Sequence, residues 1–232
     1  MDKDKNMIHA QEQKKNAVVS WTGGKDGCYS CHRAMAEGYH ITHLLHFRNV
    51  RKRGSHELNN EVVRAQADAM EIPLIQKDFT SYEEEFKNTV RDLREQGERI
   101  DAAVFGHIET HKNLVDRICS EMNLELVMPL WKQDSKKLIQ GMRESGLEIV
   151  VVSAKESLMG KEWLGRKIDE KFIDDLKRQD SSIDPCGENG EFHTLVTDAP
   201  MFKKKIIITG SDRVLQDGYW YLDIFGWTFQ EK

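Results

Sequence analysis

The sequence predicts an α/β fold, a parallel, doubly wound sheet followed by a smaller C-terminal α+β domain. Three observations carry that expectation. Short apolar runs alternate with amphipathic helical stretches from residue 17 to about residue 130, which is the rhythm of right-handed βαβ units with helices on both faces of a sheet. A glycine-rich loop, Thr22-Gly23-Gly24-Lys25-Asp26-Gly27, separates the first apolar run from the first helix. After Trp131 the rhythm changes, and the chain closes on two aromatic-rich strands. The expected division is a disordered polar tail over 1–16, a first domain over 17–130 and a second over 131–232.

Composition bounds the function classes. A chain of 232 residues makes one large domain or two modest ones, since domains run to about 100–200 residues. The balance of 34 basic against 39 acidic residues leaves a formal charge of −5. That mild acidity argues against wholesale nucleic-acid or membrane binding, though not against a local basic patch. No apolar run approaches the roughly 18 residues of a membrane span, and the N-terminus shows no signal-peptide core. Cys28, Cys31, Cys119 and Cys186 are few for the length, as expected of a reduced, cytoplasmic chain.

Taken in order, residues 1–16 are mostly Lys, Asp, Glu, Gln and Asn without periodicity. Ala17–Ser20 is the first strand. The following helix is expected to turn Cys31, Ala34 and Met35 inward and to end at Gly38. Cys28 and Cys31 form a C-x-x-C in its first turns, but no second pair completes a zinc site. A thiol near a helix N-terminus has a lowered pKa, which opens redox chemistry; two half-buried helix thiols are the plainer expectation. Ile41–Phe47 is the second strand. The dense basic cluster Arg48-Asn49-Val50-Arg51-Lys52-Arg53-Gly54-Ser55-His56 follows it, on the edge where parallel sheets bind ligands. It either gathers phosphates or an acidic partner, or is a solvated loop.

A helix opening at Ser55 or His56 then buries Leu58, Val62, Ala65 and Ala69. Leu74–Asp78 is the third strand, and Ser81 caps a helix whose Glu83, Glu84 and Glu85 favour the positive end of its dipole. Ala102–Phe105 is the fourth strand and ends at Gly106. His107 and His111 stand four apart, a spacing that shares a metal on some helices, but the order is not H-E-x-x-H. A loop shaping a ligand pocket at the strand's C-terminal end is the better expectation. Leu114, Ile118 and Met122 mark the next helix, and Leu126–Leu130 the fifth strand.

Beyond Trp131, a helix over Asp134–Ser145 leads into a strand at Ile149–Ala154. Residues 155–182 read as helical and charged. Asp184-Pro185-Cys186-Gly187-Glu188-Asn189-Gly190-Glu191-Phe192-His193-Thr194 has no periodicity, and its glycines and proline demand special backbone angles. It is either a plain turn or a site. Strands Lys205–Thr209 and Tyr219–Phe225 close the chain.

The loop at 22–27 carries the clearest chemistry. Glycines let the backbone approach an anion, the N–H groups at a helix start point at it, and the dipole favours negative charge. Lys25 adds a point charge, and Asp26 is a candidate ligand for a magnesium ion bridging phosphates. The spacing fits neither the Walker phosphate loop nor G-x-G-x-x-G; an ordinary glycine-rich turn is the bland alternative. The loop resembles the pyrophosphate loop S-G-G-x-D-S of the ATP pyrophosphatases, which cleave ATP to AMP and pyrophosphate. Thr22 keeps the hydroxyl of the first serine, and Gly27 lacks that of the last.

From Val18 to about Ile208 the chain resembles the diphthine–ammonia ligase family, a branch of these HUP-like, PP-loop enzymes. The resemblance is carried by Thr22-Gly23-Gly24-Lys25-Asp26, by Gly106…His111-Lys112…Val115…Arg117-Ile118-Cys119, by Pro129-Leu130-Trp131, and by Cys186-Gly187-Glu188-Asn189-Gly190-Glu191-Phe192-His193-Thr194. The last is similar to the family's C-G-E-G/N-G-E-Y/F-x-T. His107 stands where an acidic residue is expected.

The resemblance implies a first domain that binds ATP through Thr22, Gly23, Gly24, Lys25, Asp26, Gly27 and Gly106, with Mg²⁺ at Asp26. It implies that Gly187, Glu188, Asn189, Gly190, Glu191 and Thr194 hold ammonium and the acceptor. Lys25, Glu188 and Glu191 are then the catalytic candidates, with either glutamate as the base. The implied acceptor is diphthine, a modified histidine of elongation factor two, which is adenylated and then converted to the amide. Two other functions compete: a tRNA-thiolating enzyme using Cys119 or Cys186, which the acidic charge disfavours, and an ATP-binding regulatory module, suggested by Gly27.

Overall fold

The structure, a computed structural model, describes residues 14–50 and 58–232. The tail over 1–13 and the stretch over 51–57, including the expected helix start, lie outside the described residues.

The first half is a five-stranded parallel sheet ordered β3-β2-β1-β4-β5. Its elements are β1 (Asn16–Ser20), α1 (Lys25–Ala36), β2 (His40–Asn49), α2 (Asn60–Met70), β3 (Leu74–Phe79), α3 (Tyr82–Glu95), β4 (Ala102–Val104), α4 (Lys112–Glu121) and β5 (Glu125–Val127). Strand alternation splits the apolar residues between two cores. Ala17, Val19 and Val104 join Cys31, Ala34, Val62 and Ala69 on one face. Val18, Leu45 and Ala103 join Phe86, Val90, Val115 and Ile118 on the other. The strand order reverses between β1 and β4, so the loops leaving them flank the crevice where open α/β sheets bind ligands.

Several boundaries differ from expectation for identifiable reasons. β1 begins at Asn16, because its N–H reaches the Asp101 carboxylate and its carbonyl the Asp101 N–H, each at 2.8 Å. Met35 is 39% exposed rather than inward-facing. Helix α2 is capped by the side chain of Asn59, which accepts from the Glu61 N–H at 2.9 Å. β5 stops at Val127, because Pro129 begins a turn in which Lys132 takes a left-handed φ of 57°. Of the basic cluster, Arg48 is bound in a bidentate pair to Asp78, both contacts at 2.8 Å.

The second half contains α5 (Ser135–Glu144), β6 (Glu148–Lys155), α6 (Glu170–Gln179), β7 (Phe192–Asp198), β8 (Lys204–Gln216) and β9 (Tyr219–Glu231). Its four strands form an antiparallel sheet ordered β7-β6-β9-β8. Residues 155–182 are less helical than expected: a short 3₁₀ turn spans Lys161–Trp163, and only α6 is a full helix. Gly165, at φ 80°, breaks the segment. β7 was not foreseen. Phe192, Thr194, Leu195, Val196 and Thr197 are all buried, so the strand shows no alternation. One apolar cluster unites the sheets, with Cys31, Val62 and Val104 beside Ile149, Phe192 and Val196. No helix among the described residues is long and apolar enough to cross a membrane.

Candidate active site

The chain leaves β1 at Ser20 and turns through the 22–27 loop into α1. Gly23 has φ +81°, and a Cβ there would stand 2.6 Å from Gln66 Oε1, so both backbone and space demand glycine. Gly24 caps α1 without a side-chain hydrogen bond, which leaves the start of the helix open to an anion. A Cβ on Gly24 would face the Thr194 carbonyl at 3.3 Å, so its lack of a side chain serves contact with β7. Thr22 is exposed at the tip of the loop.

Lys25 is buried, and its Nζ pairs with Asp26 Oδ2 at 2.7 Å. Burial alone would lower its pKa; the charges of Asp26, Cys186 and Glu188 outweigh that and raise it. The other Asp26 oxygen, Oδ1, is buried without a hydrogen-bond partner. An orphaned carboxylate oxygen beside a phosphate-type loop is chemically suited to a hard cation such as Mg²⁺.

Two other segments hold this loop. After β4, Gly106 packs against it backbone to backbone: a Cβ there would lie 2.7 Å from Gly27 N and 2.8 Å from Asp26 C. Gln66 of α2 is fully buried, accepts from the Trp21 indole N–H at 3.1 Å, and donates to the carbonyls of Gly23 at 2.9 Å and Val196 at 2.7 Å. Sequence reading passed over Gln66, although a polar residue among Val62, Ala65 and Ala69 was a visible signal.

The segment before β7 closes the site. Lys25 donates its backbone N–H to Thr194 Oγ1 at 3.1 Å, and Val196 donates to the Gly23 carbonyl at 3.1 Å. Gly187 and Gly190 take left-handed φ values of 71° and 77°. The buried Glu191 carboxylate accepts from the Asp184 N–H at 3.0 Å, the Asn189 N–H at 2.9 Å and the Asn189 side-chain amide at 3.1 Å. Burial would raise its pKa, but these donors hold it below the usual glutamate value. Glu188, by contrast, opens to solvent. Surrounding protein mass, then the Asp26 charge, push its carboxyl up to about 7 against the opposing pull of Lys25.

The histidine pair and the thiols behave differently from a metal or redox centre. His107 stacks on Phe105, and burial, then His111, lower its pKa to about 4. His111 caps α4 at φ 63°. Among the described residues no group of three His, Cys, Asp or Glu side chains could hold a metal. Cys28 and Cys31 are fully buried, not half-buried, and burial raises both thiols, Cys31 to about 12. That opposes the thiolate a redox pair needs.

Comparison with known proteins settles the family. The diphthamide synthase N-terminal domain model matches residues 14–126, and the C-terminal domain model matches residues 134–226. The chain belongs to the diphthine–ammonia ligase family. Its similarity to the bovine diphthine–ammonia ligase (Bos taurus) is 28% identity over 226 residues, covering 85% of this chain and 84% of the relative. The human relative (Homo sapiens) is 27% identical over 227 residues, covering 86% and 84%. A solved structure from Methanocaldococcus jannaschii, described as a predicted subunit of tRNA methyltransferase, matches with a TM-score of 0.44 at 13% identity, covering 80% of this chain and 98% of its own. Within the diphthine–ammonia ligase family, the two matched domains correspond to the two sheets joined at the 22–27 loop.

Proposed function

We propose that the chain is an AMP-forming amide ligase that uses ATP to activate the carboxylate of diphthine on elongation factor two, then amidates it with ammonia. The supporting observation is the direct union of two motifs. Lys25 N–H bonds the Thr194 hydroxyl at 3.1 Å, and Glu188 lies close enough for Lys25 and Asp26 to shift its ionisation.

In the first step an acceptor carboxylate oxygen attacks the α-phosphorus of ATP and pyrophosphate leaves. Thr22, Gly23, Gly24, Asp26 and Gly27 line the pyrophosphate, and Lys25 stabilises the charge that builds on it. Mg²⁺ held by Asp26 would add charge neutralisation at the phosphates. Gly106 serves by keeping the loop's backbone in place. In the second step ammonia attacks the acyl carbon, AMP leaves, and the proton of the incoming ammonium passes to a base. Glu188 is that base, because a carboxyl with pKa about 7 is part ionised and able to accept a proton at neutral pH. Glu191 instead shapes the segment, both its oxygens being engaged by donors. Gly187, Asn189, Gly190 and Thr194 form the wall that receives ammonium and acceptor.

The thiolation alternative needs a nucleophilic sulfur. Burial pushes Cys119 and Cys186 up to about 12 each, which suits neither to that task. A cytoplasmic setting, where all four thiols stay reduced, is part of the proposal. Phosphorus NMR of a reaction with ammonium and diphthine-bearing elongation factor two tests it. AMP and pyrophosphate are expected; ADP and orthophosphate, or tight ATP binding without turnover, would overturn it.

A further inference from the structure

The β8–β9 hairpin carries an unusual surface. Among the described residues six large apolar side chains are exposed, and four of them lie on this hairpin. Leu215, opposite Trp220, shares the face of Arg213 and Leu222, Phe229 stands opposite buried Ile206, and Val214 and Phe225 remain for the other face. The register sorts its faces. Ser211 pairs with Ile224 and Arg213 with Leu222; Ile224 and Leu222 are buried, so this face packs inward. The opposite face carries Asp212 beside Asp223, Val214 beside Tyr221 and Gln216 beside Tyr219. Phe225 follows on β9, 65% exposed.

Asp212 and Asp223 are like charges placed directly across the ladder, an arrangement that disfavours the hairpin itself. No Lys or Arg occurs between 214 and 231. Arg213 turns away, its guanidinium donating to the Leu164 carbonyl at 3.4 Å. The face also adjoins the site: the Tyr219 hydroxyl donates to the Gly190 carbonyl at 3.2 Å, two residues along the chain from Glu188.

We propose that this face docks a basic, lysine- or arginine-bearing segment of the protein acceptor beside Glu188. The inference rests on the reading that the acceptor is a protein. Opposed carboxylates attract a cation between them, and the flanking tyrosine and phenylalanine rings favour an ammonium or guanidinium group and its apolar stem. A second copy of this chain is the poorer occupant, because a two-fold contact sets the aspartate pair against itself.

The test uses the full chain with both aspartates neutralised, Asp212→Asn together with Asp223→Asn, a change that removes repulsion and so leaves folding intact. A decalysine peptide serves as probe by calorimetry. The parent should bind it with strong salt dependence, and the variant at least about tenfold more weakly. In turnover, KM for diphthine-bearing elongation factor two should rise by a similar factor while ATP affinity stays unchanged. Equal decalysine binding by parent and variant would overturn the proposal. So would light scattering that shows a dimer of the parent which Phe225→Ser separates. Aspartate-dependent decalysine binding in a chain that forms no AMP would sink the ligase reading and keep the basic-partner face.

Discussion

The side-chain amide of Gln66 donates to the Val196 carbonyl at 2.7 Å, tying a helix of the parallel sheet to a strand of the antiparallel one. The same nitrogen holds the Gly23 carbonyl, so one side chain fixes the loop between the two halves. Gln66→Met keeps the volume and removes both donors and the acceptor for Trp21. The Trp21 N–H and the Val196 carbonyl lose their Gln66 partner, while the Gly23 carbonyl keeps the Val196 N–H, for an expected loss of about 2 kcal/mol. Thermal unfolding should fall by roughly 4–8 °C for a chain of this size, and ATP should bind more weakly. An unchanged melting temperature would refute the clamp.

Glu188 should impose a pH limb on catalysis. Its pKa of about 7 means that the base form grows as pH rises through neutrality, so kcat/KM should climb from pH 6 to pH 8. Glu188→Gln should cut amide formation by about a hundredfold and abolish that limb. The stability sign runs the other way. A carboxyl whose folded pKa is raised favours the fold while protonated, below its ordinary value near 4.5, and that contribution is lost as pH rises through about 7. Glu188→Gln should therefore melt higher than the parent at pH 8 and alongside it at pH 4.

Glu191 should behave in the opposite sense. Its folded pKa is lowered, so its stabilisation is present above the ordinary glutamate value and is lost as pH falls through the lowered one. Glu191→Gln should cost about 2 kcal/mol at pH 7, with the penalty shrinking in acid. Residual turnover should keep the pH limb near 7, because Glu188 remains. Loss of that limb in denaturation-controlled kinetics would reassign the base to Glu191.

Two glycines make a matched pair of tests. A Cβ on Gly27 would rest 3.5 Å from the Ser20 carbonyl, an ordinary contact. Gly27→Ser should fold as the parent does and preserve or raise turnover, since it restores a hydroxyl near the phosphates. A Cβ on Gly106 would stand 2.7 Å from Gly27 N. Gly106→Ala should lose about 1–3 kcal/mol by overpacking and weaken ATP binding measured by calorimetry.

The parallel half was legible because each strand and helix there carries its own period and punctuation. Val18 and Val19 alternate between two cores, and Ser81 caps α3 through the Glu84 N–H at 3.4 Å. β7 was not legible, because burial on both faces erases the alternation that announces a strand. The two segments of the candidate site, Gly23 to Gly27 and Cys186 to Thr194, stood out in the sequence as residue types, but their contact with one another did not, nor did the part each side chain plays there. Nothing in sequence separates Glu188 from Glu191; only the backbone donors around Glu191 do. Gly106 likewise reads as a strand end until its contact with Gly27 is seen.

The bond from Lys25 to Thr194 joins positions 169 residues apart, and this bears on how the molecule is born. As the chain is synthesised, the 22–27 loop emerges well before Thr194, and β8 and β9 follow later still. Domains ordinarily fold as units from the N-terminus onward, but here a loop of the first sheet meets its β7 partner only once a strand of the second sheet has been made. A nascent chain halted near residue 130 therefore presents a sheet with the β7 side of its loop bare, and on the proposed reading ATP meets the Thr194 side of the site only once β7 is in place.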